Sequence, residues 1–194
     1  VQAYAGRGTA YGYSGDLHKA LSDFNAAGKL QPADADILSR RVQVLSALER
    51  WDEVIVATTS LLKLEPREPA ALHVRGKAYH TKQNYKRAVS DFYALLKLGG
   101  GGVKVYAPCA TYNLLGTSLA AMGRCSEAID AYTKTLEADP SLYQVHVNLG
   151  QAHRDLAQVV EAETHFSSAV SMKTDFVPGR HRRSLLRHAV GDHK

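Results

Sequence analysis

The sequence contains few of the residues that cross-link proteins or carry redox chemistry. Its 194 residues include two cysteines, two methionines and one tryptophan. Two cysteines are too few for a disulfide framework, so we expect Cys109 and Cys125 to be free thiols in a reducing compartment. No asparagine lies in an N-x-Ser/Thr sequon, which agrees with a cytoplasmic or nuclear protein.

Segments that direct proteins to membranes are also absent from the sequence. No apolar run approaches the roughly 20 residues that a transmembrane helix needs, and the first residues do not form a signal peptide. The chain starts at Val1 without methionine, in what looks like the middle of a repeat. We therefore expect a fragment of a longer protein, without a membrane partner.

Motifs that mark enzymes and metal sites are missing as well. H-E-x-x-H, paired C-x2-C, G-x-S-x-G and G-x-G-x-x-G do not occur. Gly6, Gly8 and Gly12 come close to the last of these but open no strand-turn-helix unit. We therefore expect a chain that is not an enzyme and that has no catalytic, cofactor-binding or metal-binding residues.

Positive charge is concentrated near the C-terminus. The formal net charge is +5, and several of the cations fall in the last twenty residues. A nucleic-acid-binding surface concentrates Lys and Arg along one face, a pattern that the rest of the chain does not show. We therefore expect protein or peptide partners rather than nucleic acid.

What the chain has is a recurring spacing of small, aromatic and apolar residues. The spacing is clearest between Tyr112 and Pro140, where Leu-Gly at 115–116 is followed by Ala128 and Tyr132. It resembles the tetratricopeptide repeat (TPR), in which W-x2-L-G-x2-Y, a later A-x3-F and a proline recur about every 34 residues.

The resemblance implies an all-α fold, an α-α superhelix of about five TPR helix pairs plus a C-terminal capping helix. The basic tail is interpreted as that solvated cap, with an acidic partner or nucleic acid as the alternative. The predicted array covers 1–176 in units 1–34, 35–68, 69–102, 109–142 and 143–176, with a Gly-rich inserted loop at 99–108 and the basic cap at 177–194.

Residue size at the helix crossings varies between the units. In the first unit Gly8 is small where the two helices of the pair meet, and Phe24 fills the space beside it. In the second unit the corresponding crossing positions hold Val42 and Val54, whereas the aromatic position holds Thr58. Because overpacking a core costs about 1–3 kcal/mol, we predict a compensated repacking in this unit.

The four glycines at 99–102 predict a mobile surface loop, because glycine disfavours a helix. A phosphate-binding P-loop requires Lys-Ser/Thr after its last glycine, and the chain reads Val103-Lys104-Val105 there. We interpret the stretch as a tolerated insertion. Pro108 is predicted to lie at the start of the next helix.

His146 and His153 lie seven residues apart, on one face of a predicted helix. The spacing invites a metal interpretation. Both positions pack against the partner helix in this repeat, however, so we expect histidines at the edge of the core. Cys125 occupies a position that is apolar or aromatic in the other units, and we expect it to be buried.

In TPR proteins the first helix of each unit lines a concave groove. The side chains expected to point into it are rich in amide, imidazole and hydroxyl groups, which suit the backbone of an extended peptide. The predicted peptide-binding residues are Arg40, Gln43, His73, Lys77, His80, Asn113, Thr117, Gln144, Asn148, Gln151 and Arg154, with Thr9, Tyr13, Ser39 and Ser46 as further groove residues.

One TPR subgroup grips the C-terminal carboxylate of chaperones with lysine, asparagine and arginine residues from successive units. Starting from the first unit, those positions hold Ala5, Thr9, Arg40, Ala70 and Val74 here. The other registers do not supply the set either, so we do not expect a carboxylate clamp.

A narrower resemblance rests on GRGTAY followed by D-L-x-x-A-L-x-D-F, and on LGQAHRDLAQ near the end of the array. These stretches are similar to the plant TPR adaptors that suppress effector-triggered immunity and resemble transcriptional corepressors. The resemblance implies a regulator of immunity or transcription.

Together these observations favour a non-catalytic scaffold that binds a peptide or helix of a partner protein in the concave groove. The alternative is a substrate-recruiting or oligomerising module of a larger enzyme. Self-association through a terminal repeat is a third possibility, since we expect an excised array to expose an unpaired apolar end at Val1, where Tyr4, Tyr11 and Phe24 lie.

Overall fold

The computed structural model describes residues 1–100 and 107–173, which form ten α-helices and no strand. In chain order the helices are α1 (Gln2–Tyr13), α2 (Leu17–Leu30), α3 (Ala35–Ala47), α4 (Trp51–Leu64), α5 (Pro69–Thr81), α6 (Tyr85–Gly100), α7 (Pro108–Ala121), α8 (Cys125–Ala138), α9 (Tyr143–Asp155) and α10 (Val159–Met172).

Consecutive helices pack as pairs, α1 with α2 through to α9 with α10, and each pair corresponds to one predicted unit. The all-α fold class predicted from the sequence is confirmed. The chain divides into two compact units, Val1–Tyr106 and Ala107–Lys194, which contain α1–α6 and α7–α10 respectively. The predicted cap at 177–194 lies outside the described residues.

Three pairs share a close crossing between a glycine of the first helix and an aromatic ring of the second. A Cβ atom added to any of these glycines would lie 2.6 Å from the ring, which is shorter than real Cβ contacts allow. The ring can therefore lie directly on the backbone only because the glycine has no side chain. The contacts are Gly76–Phe92, Gly116–Tyr132 and Gly150–Phe166.

The second pair solves the same crossing with different residues. Val42 is 5% exposed, and Val54 and Thr58 are fully buried. The Thr58 hydroxyl donates a 2.6 Å hydrogen bond to the carbonyl oxygen of Val54, so the buried hydroxyl is satisfied. Val42 stands where three other pairs have glycine, and Thr58 stands where they have an aromatic ring. The compensated repacking of this pair stays a prediction.

Each of the two compact units has buried apolar clusters of its own. In Val1–Tyr106, Phe24, Leu45 and Val54 pack together in one cluster, and Leu72 and Leu95 belong to another. In Ala107–Lys194, α9 and α10 form a buried cluster of Val147, Ala162, Phe166 and Ala169. Cys125 is buried as predicted, and Cys109 is more accessible.

Helix ends follow the local sequence. The Asp16 carboxylate accepts a hydrogen bond from the Lys19 amide and caps α2. Pro108 lies in the first turn of α7, as predicted.

The prediction of a loop at 99–102 is wrong for its first two residues, because α6 continues through Gly99 and Gly100. Extending an existing helix avoids the cost of nucleation, so two glycines can be added at its end. Residues 101–106 lie outside the described part of the chain.

Candidate functional site

The first helices α1 and α3 form the sides of a pocket of about 230 Å³. Four predicted groove residues, Thr9, Tyr13, Arg40 and Gln43, line it. All four polar side chains of this pocket are therefore among the predicted groove residues. The full lining is Gly8, Thr9, Gly12, Tyr13, Leu17, Phe24, Arg40, Gln43, Val44 and Ala47.

Arg40 is held in a fixed orientation at the pocket. Its Nε donates to Asp36 Oδ2 at 2.8 Å, and its Nη1 donates to the Thr9 hydroxyl at 2.9 Å. That hydroxyl donates in turn to the carbonyl oxygen of Ala5 at 2.8 Å. The hydrogen bond to Asp36 raises the pKa of Arg40, so the guanidinium stays charged. Thr9 and Arg40 thus connect α1 to α3.

The pocket combines apolar walls with a polar rim. Phe24 and Val44 are buried, whereas Tyr13 is 90% exposed at the edge. Gly12 contributes no side chain, and a Cβ atom added there would have no neighbour within 4 Å. The space beside Gly12 is therefore open to a guest group. An apolar side chain fits the walls, and Arg40 and Gln43 supply donors at the rim.

The predicted groove residues of α5 pack largely against second helices. His73 is 7% exposed and its ring lies 6.3 Å from that of Phe92. The ring of His80 meets that of Tyr85 edge-on at 5.6 Å. Burial lowers the pKa of both histidines, which favours their neutral forms. Lys77 is more exposed, with its ammonium 5.5 Å from the centre of the Trp51 ring.

In the compact unit Ala107–Lys194, the predicted groove residues of α7 point in part into the protein. The Thr117 hydroxyl donates to the carbonyl oxygens of Asn113 and Leu114, at 3.1 and 3.0 Å. Asn113 Oδ1 is buried and accepts no hydrogen bond from any residue that the structure describes.

The predicted residues of α9 are more accessible. Gln151 donates to Asp155 Oδ1 at 2.6 Å, and Arg154 lies 3.4 Å from the same carboxylate. Gln144 is exposed and Asn148 is half-buried. The assignment of these side chains to a peptide groove stays a prediction.

Two ion pairs that were not predicted from the sequence each join the two helices of a repeat. Arg7 binds both carboxylate oxygens of Asp23 at 2.8 Å. Arg75 binds Asp91 in the same way, at 2.8 and 2.7 Å. Both pairs span 16 residues, so the repeated R-G-x-A-Y and S-D-F stretches were the signal. The hydrogen bonds from Arg7 lower the pKa of Asp23.

Three histidines meet between α9 and α10. The Nδ1 atoms of His146 and His165 lie 3.2 Å apart, and the ring of His153 stacks on that of His165 at 5.2 Å. Burial, together with the two neighbouring histidines, lowers the pKa of His165 to about 4. His146 and His153 therefore face the partner helix, as predicted. Their common neighbour on that helix, His165, was not predicted from the sequence.

The described residues contain neither a metal-binding group of three or more side chains nor a membrane-spanning helix. Within 1–100 and 107–173, no three or more His, Cys, Asp or Glu side chains are arranged to hold a metal ion. No helix in these same ranges combines the length and the apolar character needed to cross a bilayer.

Sequence profiles of the tetratricopeptide repeat match residues 1–34 and 113–179, about half of the chain. The chain belongs to the tetratricopeptide repeat family. Human tetratricopeptide repeat protein 13 is 29% identical over 160 residues, which cover 79% of this chain and 18% of the human protein. The peroxisomal targeting signal receptor of Candida glabrata is 30% identical over 97 residues, 50% of this chain and 15% of the receptor. The chain thus matches less than a fifth of either relative.

Solved structures with the same fold include MamA and YrrB. MamA superposes with a TM-score of 0.80 at 20% identity, over 89% of this chain and 91% of MamA. YrrB, described as a TPR protein with an unusual peptide-binding site, has a TM-score of 0.76 at 16% identity, over 88% and 85% of the two chains. At these identities the likeness shows the fold alone.

Proposed function

We propose that this chain is a non-catalytic interaction module that binds a peptide or a helix of a partner protein along its first helices. The observation that carries the proposal is the pocket between α1 and α3, which has apolar walls, a polar rim and an open space beside Gly12. Such a pocket suits one apolar side chain of a bound segment.

The rim chemistry suggests how the backbone of that segment is held. Arg40 is already oriented by Asp36 and Thr9, so little side-chain entropy is lost when it donates to a peptide carbonyl. Gln43 is exposed beside it and supplies both a donor and an acceptor. Backbone hydrogen bonds tolerate many sequences, and the pocket would add a preference for an apolar residue.

Two similar proteins are described as binding a targeting signal or a peptide. The fungal relative is a receptor for a peroxisomal targeting signal, and YrrB is described as having a peptide-binding site. We extend only the general class of ligand, a peptide, to this chain. A role in immunity or transcription, in the cytoplasm or nucleus, is a narrower proposal that rests on the sequence resemblance to plant adaptors.

Filling the pocket tests the proposal without removing any contact that stabilises the fold. Gly12→Leu places a side chain where an added Cβ has no neighbour, and leucine favours a helix more than glycine does. Gly6→Leu is a matched control, because Gly6 lies in the same helix, is equally open and does not line the pocket.

Peptides selected on the wild-type chain from a displayed random library would then be titrated against both variants. We expect enrichment of sequences that carry an apolar residue. Their affinity should fall at least about tenfold in Gly12→Leu, by the loss of one buried side-chain contact, and should stay unchanged in Gly6→Leu. Equal binding to both variants would move the peptide site away from the pocket and exclude this proposal.

A further inference from the structure

We propose that His146 and His165 form a two-imidazole site for a divalent cation of the Zn²⁺ and Cu²⁺ class. The histidines come from α9 and α10 and present the same ring atom to each other, with the Nδ1 atoms 3.2 Å apart. The ring centroids are 5.4 Å apart, so each nitrogen is directed towards the other ring. This site is independent of the proposed peptide binding.

The separation of the two nitrogens matches that of two ligands on one ion. With Zn–N bonds of 2.0–2.1 Å, two nitrogens on a tetrahedral ion lie about 3.3 Å apart. On a square-planar ion, adjacent nitrogens at the same bond length lie about 2.9 Å apart. The observed 3.2 Å lies between these values, so both nitrogens could bind one ion beside the line that joins them once the two rings turn towards it.

His153 supports the orientation of the second ligand. Its ring stacks on that of His165 with an angle of 16° between the planes, and its Nδ1 lies 2.7 Å from Gln158 Oε1. Such second-layer contacts fix the rotamer of a metal ligand. With two protein ligands, fewer than the three of catalytic zinc sites, we expect an exchangeable ion whose coordination is completed by water.

Calorimetric titration of the 194-residue chain with ZnCl₂ and CuCl₂ near pH 7 tests the site, with MgCl₂ as the negative control. We expect one site whose affinity falls about tenfold or more in His146→Gln and in His165→Gln, through loss of one ligand. His153→Gln should change affinity less, because that ring is not a ligand. Replacing His181, His188 and His193 of the tail by glutamine should leave this site intact.

A wild-type chain that binds no better than the His146→Gln/His165→Gln double variant would overturn the proposal. A second measurement needs no variant and therefore does not depend on how well a variant folds. In NMR spectra, substoichiometric Cu²⁺ should broaden the imidazole signals of His146 and His165 before those of the exposed His18. Earlier broadening at His18 would also overturn it.

Discussion

Two arginine–aspartate pairs occupy the same position in different helix pairs, yet their surroundings differ. The carboxylates of Asp23 and Asp91 are similarly buried, with 7% and 8% of the side chain exposed. Arg7 is 59% exposed, whereas Arg75 is 20% exposed. A charge that loses its partner in a buried place cannot recover water, so the second pair should matter more to stability.

We predict that Asp91→Ala lowers the free energy of unfolding by about 3 kcal/mol, because it leaves the Arg75 guanidinium without its carboxylate in a largely buried place. Asp23→Ala should cost clearly less, since water can solvate Arg7 when the carboxylate is gone. Urea unfolding followed by circular dichroism measures both changes. An equal decrease in the free energy of unfolding in both variants would show that exposure of the arginine does not determine how much the ion pair stabilises the fold.

At the scale of the helix, the glycine–aromatic crossing sets how closely two helices of a pair approach. A methyl group at Gly76 would lie 2.6 Å from the ring of Phe92, which is itself fully buried. The ring cannot move away without disturbing the core around it. The crossing therefore accepts no larger residue unless the ring becomes smaller, as in the pair that contains Val42 and Thr58.

We predict that Gly76→Ala destabilises the protein by about 1–3 kcal/mol through overpacking. Combining it with Phe92→Leu should recover part of the loss relative to Phe92→Leu alone. The control is Gly6→Ala, where an added Cβ meets nothing within 4 Å. That change should stabilise α1 by up to about 1 kcal/mol, because alanine favours a helix. Thermal melting of the variants would test the crossing, and a neutral Gly76→Ala would contradict it.

The histidines between α9 and α10 predict a pH dependence for this helix pair. The pKa of His165 falls from its ordinary value of 6.5 to about 4 on folding, and that of His146 is also lowered. Between about pH 4 and pH 6.5 the unfolded chain therefore binds more protons than the folded chain. The stability that the neutral pair contributes is therefore present above about pH 6.5 and is lost as the pH falls towards 4.

The slope of unfolding free energy against pH, measured in the presence of a chelator, should be smaller in His165→Gln than in the wild type between pH 6.5 and 4. His18→Gln, at an exposed position of α2, is the control. An unchanged slope in His165→Gln would mean that the histidine cluster is not linked to folding in this range.

The helix pairs could be predicted because the contact that defines each crossing recurs at a fixed spacing. The ion pairs share that spacing of 16 residues but have no fixed residue types. Arg41 stands where Arg7 and Arg75 stand in their pairs, and its Nε is buried without a hydrogen-bond partner in the described structure. Ala57 occupies the position of the aspartate. The 16-residue spacing therefore shows in the sequence which arginine has a carboxylate partner, and the structure adds the distances and the burial.

For the whole molecule, the candidate site was likewise predictable only in part from the sequence. The resemblance to the tetratricopeptide repeat implied that the polar side chains of the pocket, including Arg40 and Gln43, lie on the ligand-facing side of the first helices. It could not predict that His73 is 7% exposed, because that depends on the large ring of Phe92 in the next helix. Nor could it predict that Thr9 of one pair orients Arg40 of another. Contacts between elements decide which predicted residues are available to a ligand.

The division into two compact units leads to a prediction about independent folding. Residues 1–106 contain three helix pairs and two buried clusters of their own. Because about three stacked repeats are needed to bury a continuous core, we expect the 1–106 fragment to be helical and to melt cooperatively. Residues 107–194 contain two described pairs, and this fragment should melt at a lower temperature.

Circular dichroism melts of the two fragments and of the whole chain at equal concentration would measure this difference. The Leu45→Ala variant of fragment 1–106 is the control, since Leu45 is fully buried in one of its clusters. It should remove about 2–5 kcal/mol and lower the melting temperature if the fragment has a native core. A fragment 1–106 that is helical but melts without cooperativity, or that ignores the Leu45→Ala change, would show that its core forms only when residues 107–194 are attached.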